Sequence, residues 1–282
     1  MKLISRLALT LAGTAAALTS AVAQNVWLAA PGQLTVTPNY SYQSFDEFYV
    51  GTAKMKLPSD ITQRTSGLRF DYGLAPQLAL DASIGYTEVK FSPPGASFKR
   101  GGRDDSRLGL NYAILAESSE RPAVTVRVGA IIAGNYNVPT TLPPINPGDG
   151  ANGLEVSFAF GKSLGEGLAI YDEIGYRDRN HGVPDDLFAN IGLVKQFGPV
   201  AINIGYRRIQ ALTGGDIGGP GFGTKFGFPG VKEVAQFYEG GLSFSDDGGR
   251  SYQIGAAKSF GKVRNTGRAT VYTFSISFPF KL

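Results

Sequence analysis

The sequence predicts an all-β protein, a transmembrane antiparallel up-and-down β-barrel of about 12 strands, and three observations support this. Apolar residues alternate one by one with polar or small residues over segments of roughly 10 residues. The links between the segments are alternately short and long, as in outer-membrane barrels. Outside the first 23 residues no apolar run reaches the length of a membrane helix, about 18 residues or more.

The segments follow one another along the whole chain, and Gly, Pro, Asp or Asn bounds each of them. We expect strands at residues 34–45, 61–72, 78–89, 105–116, 123–133, 153–162, 168–177, 186–197, 200–209, 234–244, 251–260 and 268–280. Short turns are expected at 73–77, 117–122, 163–167, 198–199 and 245–250, and longer loops at 46–60, 90–104, 134–152, 178–185, 210–233 and 261–267. An even strand number predicts that both termini lie on the side of the short turns, in the periplasm.

The first 23 residues predict export. Lys2 and Arg6 precede an apolar run, and the small-residue triplet Ala21-Val22-Ala23 follows it, which is typical of a signal peptide cleaved near Ala23-Gln24. The expected organisation is therefore a signal peptide at 1–23 and a single outer-membrane barrel at 24–282. Removing residues 1–23 lowers the formal charge from +4 to +2, since it removes two cations and no acid.

The direction of the alternation separates two kinds of barrel. In the fifth segment Val124, Val126 and Val128 alternate with Thr125 and Arg127. Such alternation fits both a soluble barrel, with its apolar face inside, and a membrane barrel, with its apolar face outside. The long segments, the aromatic residues at their ends and the many glycines on the polar face favour the membrane barrel.

Composition argues against several classes of function. The near-neutral mature chain has no basic excess of the kind that binds nucleic acid. There is no Cys and a single His, so neither thiolate chemistry nor a metal or other cofactor is expected. The lone His181 has no serine in its loop or in the flanking strands, and the chain has no Gly-x-Ser-x-Gly motif. A barrel hydrolase is therefore the weakest alternative, and we expect no catalytic residue.

Many charged residues of both signs fall on the inward parity of the strands. They are Arg69, Asp71, Asp81, Asp105, Arg107, Arg127, Glu155, Glu173, Arg177, Arg207 and Glu239. One interpretation is a water-filled lumen whose opposed charges contact polar solutes. The other is that these groups pair with one another and stiffen the barrel. The two interpretations are compatible in a lumen.

Two long loops differ from the others. Residues 135–152 carry several prolines, and residues 213–230 carry eight glycines together with Phe222, Phe226 and Phe228. The three Phe side chains could form an apolar access site for hydrophobic compounds. Alternatively they pack as a lid against neighbouring loops or lipopolysaccharide, and this second interpretation is the preferred one.

The run Gly67-Leu68-Arg69-Phe70-Asp71-Tyr72-Gly73-Leu74-Ala75-Pro76-Gln77-Leu78, with the earlier Phe48-Tyr49, resembles an outer-membrane family. This is the meta-pathway of phenol degradation family of porin-like transporters. The resemblance implies a channel-like carrier of aromatic or hydrophobic compounds, and it brings no catalytic residue with it.

The sequence thus predicts a passive outer-membrane channel for small organic solutes. The alternative is a closed barrel with a structural or surface-interaction role. The expected partners are membrane lipid and lipopolysaccharide, a small-molecule solute and the outer-membrane assembly machinery, with no nucleic acid.

Overall fold

The computed structural model describes residues 26–136 and 147–282. The proposed signal peptide, and Pro139, Pro143 and Pro144 of the proline-rich loop, lie outside these residues. The strands are β1 (Gln33–Val50), β2 (Ala53–Ala75), β3 (Leu78–Phe91), β4 (Phe98–Arg103), β5 (Ser106–Leu115), β6 (Ala123–Ile132), β7 (Gly153–Gly165), β8 (Leu168–Arg179), β9 (Asp186–Phe197), β10 (Val200–Ala211), β11 (Val234–Ser245), β12 (Ser251–Ser259) and β13 (Thr270–Lys281).

The strands form a closed antiparallel barrel. Apart from β4 and β5, each strand pairs with its neighbour in the sequence, and β1 pairs with β13 to close the wall. The upper half of β3 pairs with β4 and the lower half pairs with β5, so these two short strands together take one position in the wall. The barrel therefore has 12 strand positions, as the alternation predicted.

Two of the predicted long loops are strands instead. Most of 46–60 forms the far ends of β1 and β2, which turn tightly between Val50 and Ala53. Most of 90–104 forms the end of β3 and all of β4. The two hairpins rise above the rest of the wall because main-chain pairing continues past the apolar segments. Below, the rim with the short turns is called the turn end, and the opposite rim is called the loop end.

The packing is that of a membrane barrel, with the apolar face outside. Along β6 and β7 the outward residues Val128 and Leu154 are 57% and 61% exposed, whereas the inward Arg127 and Glu155 are 4% and 6% exposed. Outward aromatic residues lie near both ends, including Tyr112 towards the turn end and Tyr238 towards the loop end. No helix in the described part of the chain is long and apolar enough to span a membrane.

One charge lies on the apolar outer face without a compensating bulge. Asp172 of β8 is in direct register with Phe160 and Ile191, and the pairing of β8 with both neighbours is regular at this point. Lys195 also points outward, but its Nζ donates to the main-chain oxygen of Glu166 at 2.7 Å in the turn below. Lys195 is therefore explained by its place near the rim, and nothing in the structure explains Asp172.

Candidate functional site: the charged lumen

The lumen charges are organised in rows that run from strand to strand. The longest row pairs, in order, Asp71, Asp81, Gly109, Gly129, Glu155, Arg177 and Asp186. A second row pairs Arg69, Ser83, Arg107, Ile131, Gly153 and Arg179. Register alone therefore brings residues that are far apart in the sequence to the same level of the barrel, because cross-strand partners lie about 5 Å apart.

Arg127 stands at the centre of the strongest cluster. Its Nε and Nη2 donate to the two carboxylate oxygens of Asp81, both at 2.9 Å, and its Nη1 donates to Glu155. Asn111 Nδ2 adds a bond of 2.7 Å to Asp81. A bidentate, charge-assisted arrangement of this kind is among the strongest polar contacts in proteins. It ties together β3, β5, β6 and β7, which occupy four adjacent positions of the wall.

Two glycines make room for this cluster. A Cβ on Gly109 would lie 2.3 Å from Asp81 Oδ2, and one on Gly129 would lie 2.8 Å from Arg127 Nη1. Any side chain at either position would collide with the ion pair. The sequence shows many glycines among the inward-facing residues of the strands, and the ion pair explains why two of them, Gly109 and Gly129, are glycine.

Most of the other lumen arginines also have a carboxylate partner. Arg69 Nη2 lies 2.7 Å from Asp71 and Arg177 Nη2 lies 2.7 Å from Asp186. The guanidinium of Arg177 also lies over the ring of Phe188, at 5.1 Å. Such pairs anchor the cations to the wall and narrow the lumen.

Five further contacts involve Arg207, Ser157 and Arg179. Arg207 approaches Glu239 at 3.9 Å and lies over the Phe237 ring at 4.8 Å. Ser157 donates to Glu173 at 2.6 Å. Near the loop end Arg179 contacts Asp105 at 3.1 Å and Asp149 at 3.4 Å.

The space inside the barrel has two compartments. The vestibule is a cavity of about 450 Å³ near the loop end, and it is lined by Asp105, Arg107, Arg177, Arg179 and Glu233 among others. The inner chamber, about 250 Å³, is lined by most of the remaining lumen charges. Four residues line both compartments: Ser83, Arg107, Arg177 and Ile209. We call these four the junction ring.

Arg107 differs from the other arginines of the ring and the lumen. Within the described residues its side chain makes no hydrogen bond and no ion pair, and it is exposed to the lumen. Its cross-strand neighbours are Ser83 and Ile131, neither of which carries a charge. The nearby Asp105 is already bonded to Arg179 and to the Tyr136 hydroxyl. Arg107 is therefore a cation that other residues of the wall leave available.

The turn end is filled by the chain itself. Residues 26–32 enter the barrel, where Val26 is buried with Ala159 and Tyr171. Thr125 donates its hydroxyl to the main-chain oxygen of Val26 at 3.1 Å. The indole of Trp27 donates to Glu117 at 2.9 Å. Below, residues 26–32 are called the N-terminal segment.

Glycines again mark the place where the N-terminal segment lies. A Cβ on Gly161 would come within 2.3 Å of Val26 and 2.8 Å of Trp27. One on Gly73 would lie 2.1 Å from the main-chain oxygen of Ala30. Only about 30 Å³ of cavity remains beside Trp27, so the described segment leaves little space for a solute at this level.

At the loop end a single asparagine joins three loops. Asn265 is 1% exposed, and its Oδ1 accepts from the Gly51 amide at 2.7 Å and the Ile217 amide at 3.1 Å. Its Nδ2 donates to Lys232 O at 2.8 Å and to Asp216. Hydrogen bonds from Arg264 hold the pKa of Asp216 below its ordinary value. These contacts hold the loop between β10 and β11 in place over the rim.

The three phenylalanines of that loop form one cluster. The Phe222 ring meets Phe226 and Phe228 edge-on, with centroids 5.7 and 5.4 Å apart. Phe226 also fills the space above Gly215. All three side chains are partly buried. This packing agrees with the lid interpretation, while a role in solute access stays a prediction.

The sequence-predicted charges all lie on the inner side of the wall, most of them around the inner chamber. Their contact with a solute stays a prediction. Sequence reasoning missed Arg179, because it ended the strand at 177 and treated residues 178–185 as a loop. It also missed Asp186, the first residue of the predicted strand 186–197, as a member of the lumen set. It also missed Glu233 and the N-terminal segment, for which no periodic pattern exists. His181, the histidine weighed above, hydrogen-bonds to its neighbour Asn180.

No protein-family model and no curated protein matches this chain. Among solved structures, it is similar to the COG4313 outer membrane channel from Pseudomonas putida F1, with a TM-score of 0.69 and 14% identity. That match covers 89% of this chain and 97% of the other. The Pseudomonas putida toluene transporter TodX is more distant, with a TM-score of 0.45, 10% identity, and 96% and 94% coverage. The chain therefore has the fold of an outer-membrane channel barrel.

Proposed function

We propose that this protein is a passive outer-membrane channel for small organic solutes. The observation that carries the proposal is the polar interior of the barrel, where the vestibule and the inner chamber adjoin at the junction ring. A barrel whose only role was structural would have no need of so large a water-accessible interior. The chemistry of the lining fits binding and passage, and no catalytic group is assigned.

The same proposal includes the setting of the protein. The chain is exported with residues 1–23 as its signal peptide, cleaved near Ala23-Gln24, and the turn end faces the periplasm. The fold similarity to the COG4313 channel supports the outer-membrane location. It also supports membership of the porin-like family that the Gly67–Leu78 run resembles, and with it small aromatic or hydrophobic solutes. Lipopolysaccharide and the assembly machinery are the proposed partners.

A second candidate, a closed barrel, is favoured by one observation. The N-terminal segment fills the turn end, and the ion pairs around Arg127 narrow the middle. The two candidates differ in whether solutes cross the barrel. In the channel, passage requires this segment to move or to leave a path beside it.

Planar bilayers separate the two candidates. The mature chain, 24–282, is refolded, inserted, and tested for single-channel steps in concentrated salt. Discrete steps are expected for a channel, whereas repeated insertion without any step would favour the closed barrel. Swelling of liposomes in neutral solutes of increasing size would then measure the width of the path.

A further inference from the structure

We infer that the junction ring is a binding site for small organic carboxylates, with Arg107 as the residue that holds the carboxylate. This deepens the proposed function, on which its physiological meaning rests, because it names the chemical class of solute.

Arg107 lacks the direct carboxylate partner that its neighbours have. The other arginines around the junction are held by carboxylates: Arg127 by Asp81 and Glu155, Arg177 by Asp186, and Arg179 by Asp105 and Asp149. Glu155 and Asp104 act on Arg107 from a distance, but Glu155 is bonded to Arg127 and Asp104 accepts from Thr87 and the Asp105 amide. An anion in the lumen would therefore be the direct partner that the wall does not give to Arg107.

The side chain of Arg107 has the geometry to hold a carboxylate. A guanidinium has five N–H donors in a planar fork, and this fork matches the two oxygens of a carboxylate. All five donors of Arg107 are without a partner in the described part of the chain, and the side chain is open to both compartments. Ser83, directly opposite on β3, brings a hydroxyl to the same ring. A carboxylate at this point would have a charged fork and a neutral donor.

The apolar wall beside Arg107 favours the binding of an organic anion over an inorganic one. Ile209 belongs to the junction ring, and Ile131 is the cross-strand neighbour of Arg107. Pro229 and Val231 line the vestibule above them. A cavity of about 450 Å³ lies within the range of small-molecule sites, roughly 300–1,000 Å³. A small body of aromatic or aliphatic carbon would contact this wall while its carboxylate met Arg107.

The test measures binding and does not need passage. Full mature protein in detergent micelles is titrated with 4-fluorobenzoate at fixed ionic strength, and the fluorine signal is followed by NMR. The neutral 4-fluorobenzyl alcohol is the matched probe without the charge. We expect the benzoate to bind more tightly than the alcohol.

Three variants locate the site. Arg107→Gln should weaken 4-fluorobenzoate binding by about tenfold or more, since a hydrogen bond to a charged group contributes about 1.5–3 kcal/mol. Arg107→Lys should fall between this variant and the unchanged protein, because a lysine keeps the charge and loses the fork. Arg64→Gln removes an arginine of β2 whose parity faces outward, and it should bind as the unchanged protein does. Folding of each variant is checked by its mobility on gels before and after heating.

The outcomes are decisive in both directions. Equal binding to the unchanged protein and to Arg107→Gln would overturn the inference, and so would the absence of binding to the unchanged protein. Equal affinity for the benzoate and the alcohol would overturn it too. The bilayer experiment is independent: a barrel that binds the benzoate and never conducts would contradict the proposed channel while leaving the carboxylate site in place.

Discussion

The two ends of the barrel are closed by different means. At the turn end the obstruction is one short segment, held by Thr125, Glu117 and a few apolar contacts. At the loop end three loops are joined through Asn265 and the Arg264–Asp216 pair, and a vestibule remains open beneath them. The described chain therefore obstructs passage at the turn end, while at the loop end it leaves a cavity whose shape the joined loops hold.

The largest effect is expected from removing the barrier. Deleting residues 24–32 should raise single-channel conductance severalfold, because nothing else described at the level of Tyr171 fills the lumen to the same extent. Planar-bilayer recordings measure it. Gly161→Leu should act in the same direction with the chain intact, since its side chain would take the place of Val26 and Trp27.

Trp27 provides the control for this prediction. It is the only tryptophan, so its fluorescence reports the position of the N-terminal segment. Gly161→Leu should make it more accessible to acrylamide, whereas Gly227→Ala, at a position with open space around it, should not. Unchanged conductance in both the deletion and the Gly161 variant would show that the barrier lies elsewhere.

Removing the central arginine of the lumen should lower the stability of the barrel. Arg127→Met leaves Asp81 and Glu155 facing each other in the lumen without their shared cation, which should lower the free energy of unfolding by about 3 kcal/mol. Urea unfolding in detergent, followed by circular dichroism, measures the loss. Arg250→Gln breaks an exposed pair with Asp246 in a turn and should leave unfolding unchanged. Equal stability of the two variants would mean that lumen water replaces the arginine without cost.

At the loop end, replacing Asn265 should loosen only the loops that it joins. Asn265→Ala removes the acceptor of the Gly51 and Ile217 amides, and each unsatisfied buried amide costs about 1–3 kcal/mol. The loop between β10 and β11 should then open more often, and trypsin should cleave after the exposed Lys225 about tenfold faster. Thr224→Ala, in the same loop, loses a single exposed hydroxyl contact and serves as the control. Unchanged cleavage would show that other contacts hold the loop.

The smallest effect concerns the charge of the vestibule. Glu233 is surrounded by the barrel wall, and loss of bulk water, with Asp149 and Asp186 nearby, raises its pKa to about 8. It is therefore protonated below this pH and negative above it, so the preference for cations over anions should rise between pH 7 and pH 9. Reversal potentials in a salt gradient measure this preference. Glu233→Gln should remove the step, and a step near pH 4 to 5 would show that vestibule water solvates the carboxyl as bulk water does.

The barrel was predictable because its signal is periodic. Alternation along β6 and β7 predicted where the strands lie and which of their side chains face the lumen. The exposure confirms this, since Val128 and Leu154 are exposed whereas Arg127 and Glu155 are buried. The hairpins beyond Phe45 and Phe91 were missed, because outside the membrane a paired strand has no need of an apolar face. Main-chain bonds between β1 and β2 continue there, with Glu47 opposite Lys56 and Phe48 opposite Met55, a mixture without the regular alternation of the wall.

The site was predictable only as a set of residues. The alternation predicts that Arg107 and Arg127 both face the lumen, but it cannot predict their partners. Those depend on the strand register: Arg127 reaches Asp81 on a strand two positions away, whereas Arg107 faces Ser83 and Ile131. The N-terminal segment has no pattern of its own. Its one trace in the sequence is the pair Gly73 and Gly161, whose meaning appears only when the chain is folded back into the barrel.

The tall hairpin of β1 and β2 has a consequence for the cell surface. Residues 46–50 of β1 extend the hairpin roughly 17 Å past Phe45 at about 3.3 Å per residue, and the tip carries the exposed Lys54 and Met55. In the orientation proposed above, an antibody or a bacteriophage approaching the cell meets this tip before any other part of the strands. The Gly51 amide at this turn is bonded to Asn265, so an epitope tag inserted between Gly51 and Thr52 would report surface display only by disturbing the junction of the three loops.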